Sequence, residues 1–233
     1  MHFFYLPDLD LKHPSLPEEE SKHATKVLRM QEGEKLTVTD GKGLHALAVI
    51  AQLDKKHCAL KIVSSKHLEK PSPSVNLAIA PTKNSDRLEW LVEKATELGI
   101  DNIFLIQCEH SERKTQKTDR LEKIAVAALK QSQQCWIPKI HEIESFKSIV
   151  IADIPGQKLI AHCMDSPKRS IVESYIPGSD VTIFIGPEGD FSETEVKLAS
   201  AHGFQPVSLG NNRLRTETAA LFALSAVLVK NME

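Results

Sequence analysis

No stretch of the chain is apolar for long enough to cross a bilayer. The first ten residues, MHFFYLPDLD, have neither the basic start nor the long apolar core of a secretory signal. A cytoplasmic protein is therefore expected. Cysteine is scarce and scattered: Cys58, Cys108, Cys135 and Cys163 make no CxxC pair. That argues against a zinc ribbon and a disulfide framework and suits a reducing compartment. The ten histidines contain no HExxH and no close pair at ligand spacing, so no metal is expected. A charge excess of either sign is also missing. The net charge of −2 gives no global nucleic-acid signature, although it leaves room for a local basic face.

What is present is ordinary for a globular chain: 233 residues, 41% hydrophobic and 26% charged, enough for one large or two small domains. The clearest boundary is Lys70-Pro71-Ser72-Pro73-Ser74, where two prolines and two serines interrupt both helix and strand. It divides the chain into 1–70 and 71–233. In the first part, Ser15 and Glu18 suggest a capped helix over 19–30, on which Lys22, Lys26 and Arg29 share a face. The ordinary reading of such a cluster is a solvated surface. Strands are expected at Lys35–Thr39, 44–51 and 58–63, with Asp40-Gly41 opening a hairpin turn. Residues 41–46, GKGLHA, match a loose GxGxxG/A. They lead into a strand rather than a helix, so a dinucleotide fingerprint is excluded by context.

The second part alternates. Strands are expected at 75–80, 103–106, 158–163 and Val181–Ile185. Asp86 with Glu89 opens a helix that ends before Gly99, and Asp119 with Glu122 opens another. The first of these carries an apolar stripe of Leu88, Leu91, Val92, Ala95 and Leu98. Such alternation predicts an α/β domain with a parallel sheet.

Near the end, two unusual loops each follow an apolar run and lead into a helix. The first is Gly186-Pro187-Glu188-Gly189-Asp190, followed by the capping box Ser192/Glu195. The second is Gly210-Asn211-Asn212-Arg213-Leu214-Arg215, with Thr216 or Thr218 as the expected cap of a helix over 219–229. Glycine frees the backbone to approach a ligand, and such loops at strand carboxyl ends form small-molecule crevices. Ordinary βα turns carry glycine too, and spacing alone leaves both readings open.

The words GPEGDFSETE and LGNNRLRTETA resemble the 16S ribosomal RNA uridine-N3 methyltransferase family of the SPOUT superfamily. The resemblance covers nearly the whole chain. HATKVLR at 23–29, EKATELGI at 93–100, SER at 111–113 and QS at 131–132 sit where that family has similar words. It implies a PUA-like β-barrel on RNA in 1–70 and a trefoil knot from about Lys158 onward. It also implies a homodimer, with 16S rRNA in the small ribosomal subunit as substrate.

The implied cofactor is S-adenosylmethionine, held by His162 after the strand at 158–163, by Gly186, Pro187, Glu188 and Gly189, and by Leu209, Gly210, Asn212, Leu214 and Arg215. His162 has a competing role as a structural hydrogen-bonder, and Glu188 as a binder of loop amides. Arg215 is expected to stabilise charge on the uracil oxygen. Glu217 is expected to orient the base or accept a proton through water, or else simply to favour the helix dipole. Lys22, Lys26, Arg29, Lys83, Arg87, Arg113 and Lys114 become candidates for RNA contact.

Two departures stand out. Asp190 replaces the second glycine of a Gly-Gly-Phe word common in the family, and Gln134 stands where an arginine is frequent. A SPOUT enzyme acting on the ribose of tRNA and an RNA-binding assembly factor without catalysis are the competing readings.

Overall fold

The computed structural model describes residues 1–152 and 154–232. They form two compact units, Met1–Lys70 with Val126–Ile137, and Pro71–Ala125 with Pro138–Glu233. Among the described residues no helix is long and apolar enough to cross a membrane, and no group of three or more acidic, His or Cys residues is placed to hold a metal.

The first unit is built on one sheet of four strands in the order β1 (His2–Tyr5), β2 (Lys35–Thr39), β3 (Leu44–Gln52), β4 (Ala59–His67). The strand β1, which lacks a clear sequence signal, pairs parallel to β2; the other pairs are antiparallel. The turn between β2 and β3 is fixed by Asp40, whose carboxylate accepts the amides of Lys42 (2.7 Å) and Leu44 (3.0 Å). Gly43 adopts φ +103, and a Cβ there would lie 2.5 Å from the Trp136 ring. GKGLHA is thus a hairpin turn running into β3. Phe4, Leu16, Leu36, Val38, Ala46, Ala48 and Ile50 fill the core beneath the sheet.

The expected helix over 19–30 takes a different form. Helix α1 is short (Glu18–Lys22) and passes into a π-helical turn, His23–Val27. Ser15 does not cap it: Ser15 bridges to Ala59, and Pro17 stands at the helix start. The wider π-turn breaks the 3.6-residue spacing, and Arg29 leaves the helix at φ +53. Lys22, Lys26 and Arg29 remain exposed, but regular helical spacing no longer aligns them on one face.

The second unit holds a seven-stranded sheet whose pairs are all parallel. Its strands are β5 (Val75–Ile79), β6 (Asn102–Gln107), β7 (Lys139–Ser145), β8 (Gln157–Ala161), β9 (Arg169–Ser170), β10 (Val181–Ile185) and β11 (Gln205–Ser208), in the order β7-β6-β5-β10-β8-β11-β9. Every residue of β10 is buried, Thr182 included, as its almost wholly apolar run suits a central parallel strand. The chain first lays down β5 to β9, then inserts β10 between β5 and β8 and β11 between β8 and β9.

Helices α2 (Ser85–Glu97), α3 (Asp119–Ser132), α4 (Phe146–Ile151), α5 (Ile171–Ser174), α6 (Glu193–Ala201) and α7 (Thr216–Lys230) complete the element order. The cap of α2 is Asn84, whose side chain accepts the Asp86 amide; Glu89 instead pairs with Arg120 at 2.7 Å. Helix α6 has the expected reciprocal capping box of Ser192 and Glu195. Phe184 of β10 packs on Phe146 and Phe204 with ring centroids 5.8 and 4.5 Å away, and Phe191 reaches Phe146 at 5.3 Å. This aromatic cluster backs the loop that follows β10.

Candidate active site

The carboxyl ends of β8, β10 and β11 lie side by side, and the three loops leaving them enclose a cavity of about 790 Å³. Small-molecule sites span roughly 300–1,000 Å³. The wall combines apolar side chains (Ile185, Val207, Leu209, Leu214) with backbone-rich turns, the cations Arg87, Lys168, Arg213 and Arg215, and the carboxylates Glu188 and Asp190.

The loop after β10 is pinned from four directions. Glu188 accepts the amide of Lys83 at 3.0 Å, and the Thr216 hydroxyl donates to the carbonyl of Gly186 at 3.2 Å. His110 Nδ1 lies 3.1 Å from the carbonyls of both Gly189 and Asp190. Asp190 itself accepts the Cys163 amide at 2.7 Å. The glycines have distinct reasons. At Gly186 a Cβ would come within 3.1 Å of the Phe191 ring, and at Gly189 within 3.0 Å of His110. Gly210 meets nothing, but its φ of +106 is a conformation that L side chains rarely adopt.

Helix α7 begins one turn before the expected 219, at Thr216, and neither Thr216 nor Thr218 caps it: Arg215 holds the cap position without a side-chain bond. The Thr216 hydroxyl is committed to Gly186, which ties the start of α7 to the β10 loop. Glu217 follows in the first turn and is 8% exposed. Its carboxylate lies 3.7 Å from Nε of Arg87 on α2, and Arg87 reaches the cavity wall.

His162, just past β8, is buried, and its Nε2 has no hydrogen-bond partner. Burial, and then the nearby Lys168 ammonium, hold its imidazole below the ordinary value of 6.5, so the ring is neutral at pH 7. Lys168 Nζ donates to the carbonyls of His162 (2.7 Å) and Met164 (2.6 Å), closing that loop on itself.

Among the expected cofactor residues, His162, Gly186, Pro187, Glu188, Leu209, Gly210, Asn212, Leu214 and Arg215 all line the cavity. Gly189 does not; it packs on His110 behind the turn. Glu217 is one contact removed, behind Arg87. Among the residues expected to meet RNA, Arg87 lies in the wall. Lys83 pairs with Glu112 at 2.8 Å, and Arg113 donates to the Lys83 carbonyl and to Gln116, so both are engaged just outside it. Lys114 is exposed. Lys168 also lines the cavity although no motif surrounds it in the sequence, and Ser208, just before the LGNNRLRTETA word, and Ala219, at its end, line it too.

Residues 69–228 match the RNA methyltransferase domain family, and residues 16–63 match the RNA methyltransferase PUA domain. A probable rRNA-methyltransferase from Porphyromonas gingivalis superposes with a TM-score of 0.93 at 41% identity, covering 100% of this chain and 99% of that one. Ribosomal RNA small subunit methyltransferase E from Neisseria gonorrhoeae, solved bound to S-adenosyl methionine, superposes with a TM-score of 0.87 at 28% identity over 98% and 97% of the two chains. The enzyme of that name from Rickettsia conorii is 31% identical over 86% of this chain and 83% of its own. With its domain match, its sheet and its relatives in agreement, the chain belongs to the ribosomal RNA small subunit methyltransferase E family of RNA methyltransferases.

Proposed function

We propose that this protein transfers a methyl group from S-adenosylmethionine to N3 of a uridine in the 16S RNA of the small ribosomal subunit. The observation that carries this reading is the convergence of the β8, β10 and β11 loops on one cavity whose wall pairs apolar cover with arginines. When bound, S-adenosylmethionine supplies a methyl group already activated by its sulfonium. The protein's task is then alignment, which in well-oriented reactions is worth roughly 7–11 kcal/mol. A turn pinned from four sides is the rigid support that alignment needs.

Gly186, Pro187 and Glu188 would form the fixed floor, with Gly189 packed on His110 behind it and Leu209 and Leu214 covering the adenine faces. Gly210, Asn212 and backbone groups beside His162 would read its edges. Glu188 would serve this floor indirectly, by holding the Lys83 amide. Uridine N3 carries a proton at neutral pH; that proton would pass to solvent water, leaving charge on the uracil oxygens, and S-adenosylhomocysteine would leave as N3 takes the methyl group. Arg215, at the cavity wall before α7, would stabilise that charge. Glu217 would act through Arg87, orienting a second guanidinium toward the same charge, rather than by taking the proton itself.

Residues 1–70 would serve as the RNA-binding domain, with Lys22, Lys26 and Arg29 on phosphates, and 71–233 as the methyltransferase domain, with Lys83, Arg113 and Lys114 at its RNA-facing loops. The late insertion of β10 and β11 between strands already laid down supports the trefoil knot. The exposed Phe222 and Val229 on α7 support that helix as a homodimer surface. Action on ribosomal subunits would put the protein in the cytoplasm.

The test is methylation of purified small subunits by the wild type and by Arg215→Ala, with nucleosides analysed by mass spectrometry. Appearance of 3-methyluridine with the wild type, and a loss of 100-fold or more in the variant, is expected. A ribose methyl in its place would refute the assigned position on the base, and undiminished activity of Arg215→Ala would remove that residue from its role.

A further inference from the structure

We propose that Asp190 is a positioning residue that clamps the β8 loop against the β10 loop and thereby sets the shape of the cofactor cavity. The inference rests on the reading of that cavity as the S-adenosylmethionine site. The ladder between β8 and β10 ends at the pair Ile185 and Ala161. Beyond it the two chains part, and the amide of Cys163 loses its place in the sheet. The carboxylate of Asp190 takes that amide with Oδ2 at 2.7 Å, and with Oδ1 it accepts its neighbour Phe191 N at 2.8 Å. Its own amide donates to the Pro187 carbonyl at 2.9 Å, which closes the turn. One side chain therefore continues the strand pairing where the backbone cannot, and both Asp190 and Cys163 line the cavity.

The position carries a conformational cost. Asp190 adopts φ +64, a left-handed conformation in which glycine is strain-free and in which aspartate and asparagine are the best tolerated of the other residues. The Gly-Gly-Phe word common in the family would satisfy the backbone there but leave the Cys163 amide without this acceptor. This chain accepts a less favourable backbone and gains a bond between two of the three cofactor loops. On the other side of the β8 loop, Lys168 binds the His162 and Met164 carbonyls. The loop is held by a carboxylate at its start and an ammonium at its end.

The experiment compares the wild-type chain with Asp190→Gly, Asp190→Asn and Asp190→Ala. Glycine removes the bond and relieves the backbone, asparagine keeps one acceptor and tolerates the left-handed φ, and alanine loses both. Calorimetry with S-adenosylhomocysteine should show about tenfold weaker binding for the glycine variant, a smaller loss for asparagine and the largest for alanine. The KM for S-adenosylmethionine should rise more than kcat falls. Amide exchange at Cys163, read without ligand, should be fast in the glycine variant and slow in the wild type. A folded Asp190→Gly protein that binds with wild-type affinity, or whose Cys163 amide exchanges as slowly as in the wild type, overturns the clamp. Should the wild type bind no S-adenosylhomocysteine, the reading of the cavity fails, while faster Cys163 exchange in the glycine variant would still support the clamp.

Discussion

The pair Arg87 and Glu217 offers a test of both stability and chemistry. Its charged atoms are 3.7 Å apart; the Glu217 side chain is 10% exposed and that of Arg87 37%. At that distance two unit charges attract by about 4.5 kcal/mol at an effective dielectric of about 20, and by about 1 kcal/mol in bulk water. The half-exposed guanidinium brings the net value toward the lower end, about 1–2 kcal/mol. Arg87→Ala leaves a buried carboxylate without its partner and should lose more than Glu217→Gln, which keeps the shape and removes the charge. Urea unfolding of wild type, Arg87→Ala, Glu217→Gln and the double variant gives the coupling directly. Additivity within about 0.3 kcal/mol would show that the ion pair is energetically empty. The same four proteins separate two chemical roles. If Glu217 acts by holding Arg87, the double variant is no slower than Arg87→Ala. If Glu217 takes the N3 proton, Glu217→Gln alone loses about 10²–10⁴ in kcat, and the losses of the two single variants multiply.

Gly186→Ala should destabilise by about 1–2 kcal/mol through overpacking, because its Cβ would sit 3.1 Å from the fully buried Phe191 ring; an unchanged thermal midpoint would contradict that packing. Gly210→Ala should lose about 1–2 kcal/mol for a different reason, since open space surrounds it and only its φ of +106 objects. The neutral, buried His162 makes stability depend on pH. The unfolded state takes up a proton near 6.5 and the folded state only at lower pH, so stability falls as pH drops below about 6.5; His162→Gln should flatten the fall in urea midpoint between pH 7.5 and 5.5. S-adenosylhomocysteine at 100 times its Kd should stabilise the fold by about 2.7 kcal/mol, and no shift in melting temperature at millimolar ligand would argue against the cavity as its site.

The central strands were legible because they are buried on both faces. β10 reads as an apolar run interrupted only by Thr182, and its five-residue length and β-branched and aromatic composition suit a strand in a sheet interior. Ser192 and Glu195 formed their box because both ends of the motif are local. The helix starts that went astray have tertiary causes. Ser15 is drawn into a bridge with Ala59, forty-odd residues away, and Asn84 reaches the Asp86 amide first. Strand β9 and helix α5 are too short to carry a period, and β1 gains its identity only by pairing with β2. At the site, the glycines marked two loops after apolar runs without deciding their use, and Leu209 and Leu214 were assigned only through the family resemblance. The Arg87–Glu217 contact was not legible, since it depends on chain segments far apart in sequence being folded together, and Lys168, bonded to His162 and Met164 in its own loop, lies in no motif.

Composition fails for a related reason. A net charge of −2 is silent about nucleic acid, yet four cations, Arg87, Lys168, Arg213 and Arg215, stand around the cavity against two carboxylates, Glu188 and Asp190. Both carboxylates are occupied by backbone amides: Lys83 for Glu188, Cys163 and Phe191 for Asp190. The acids there build the loops, while Arg213 and Arg215 stay exposed to what enters. A concave wall of low polarisability concentrates such a field. On the proposed reading an RNA strand would meet a positive site on a chain whose total charge is slightly negative, and the sorting would be done by which acids the fold uses as acceptors.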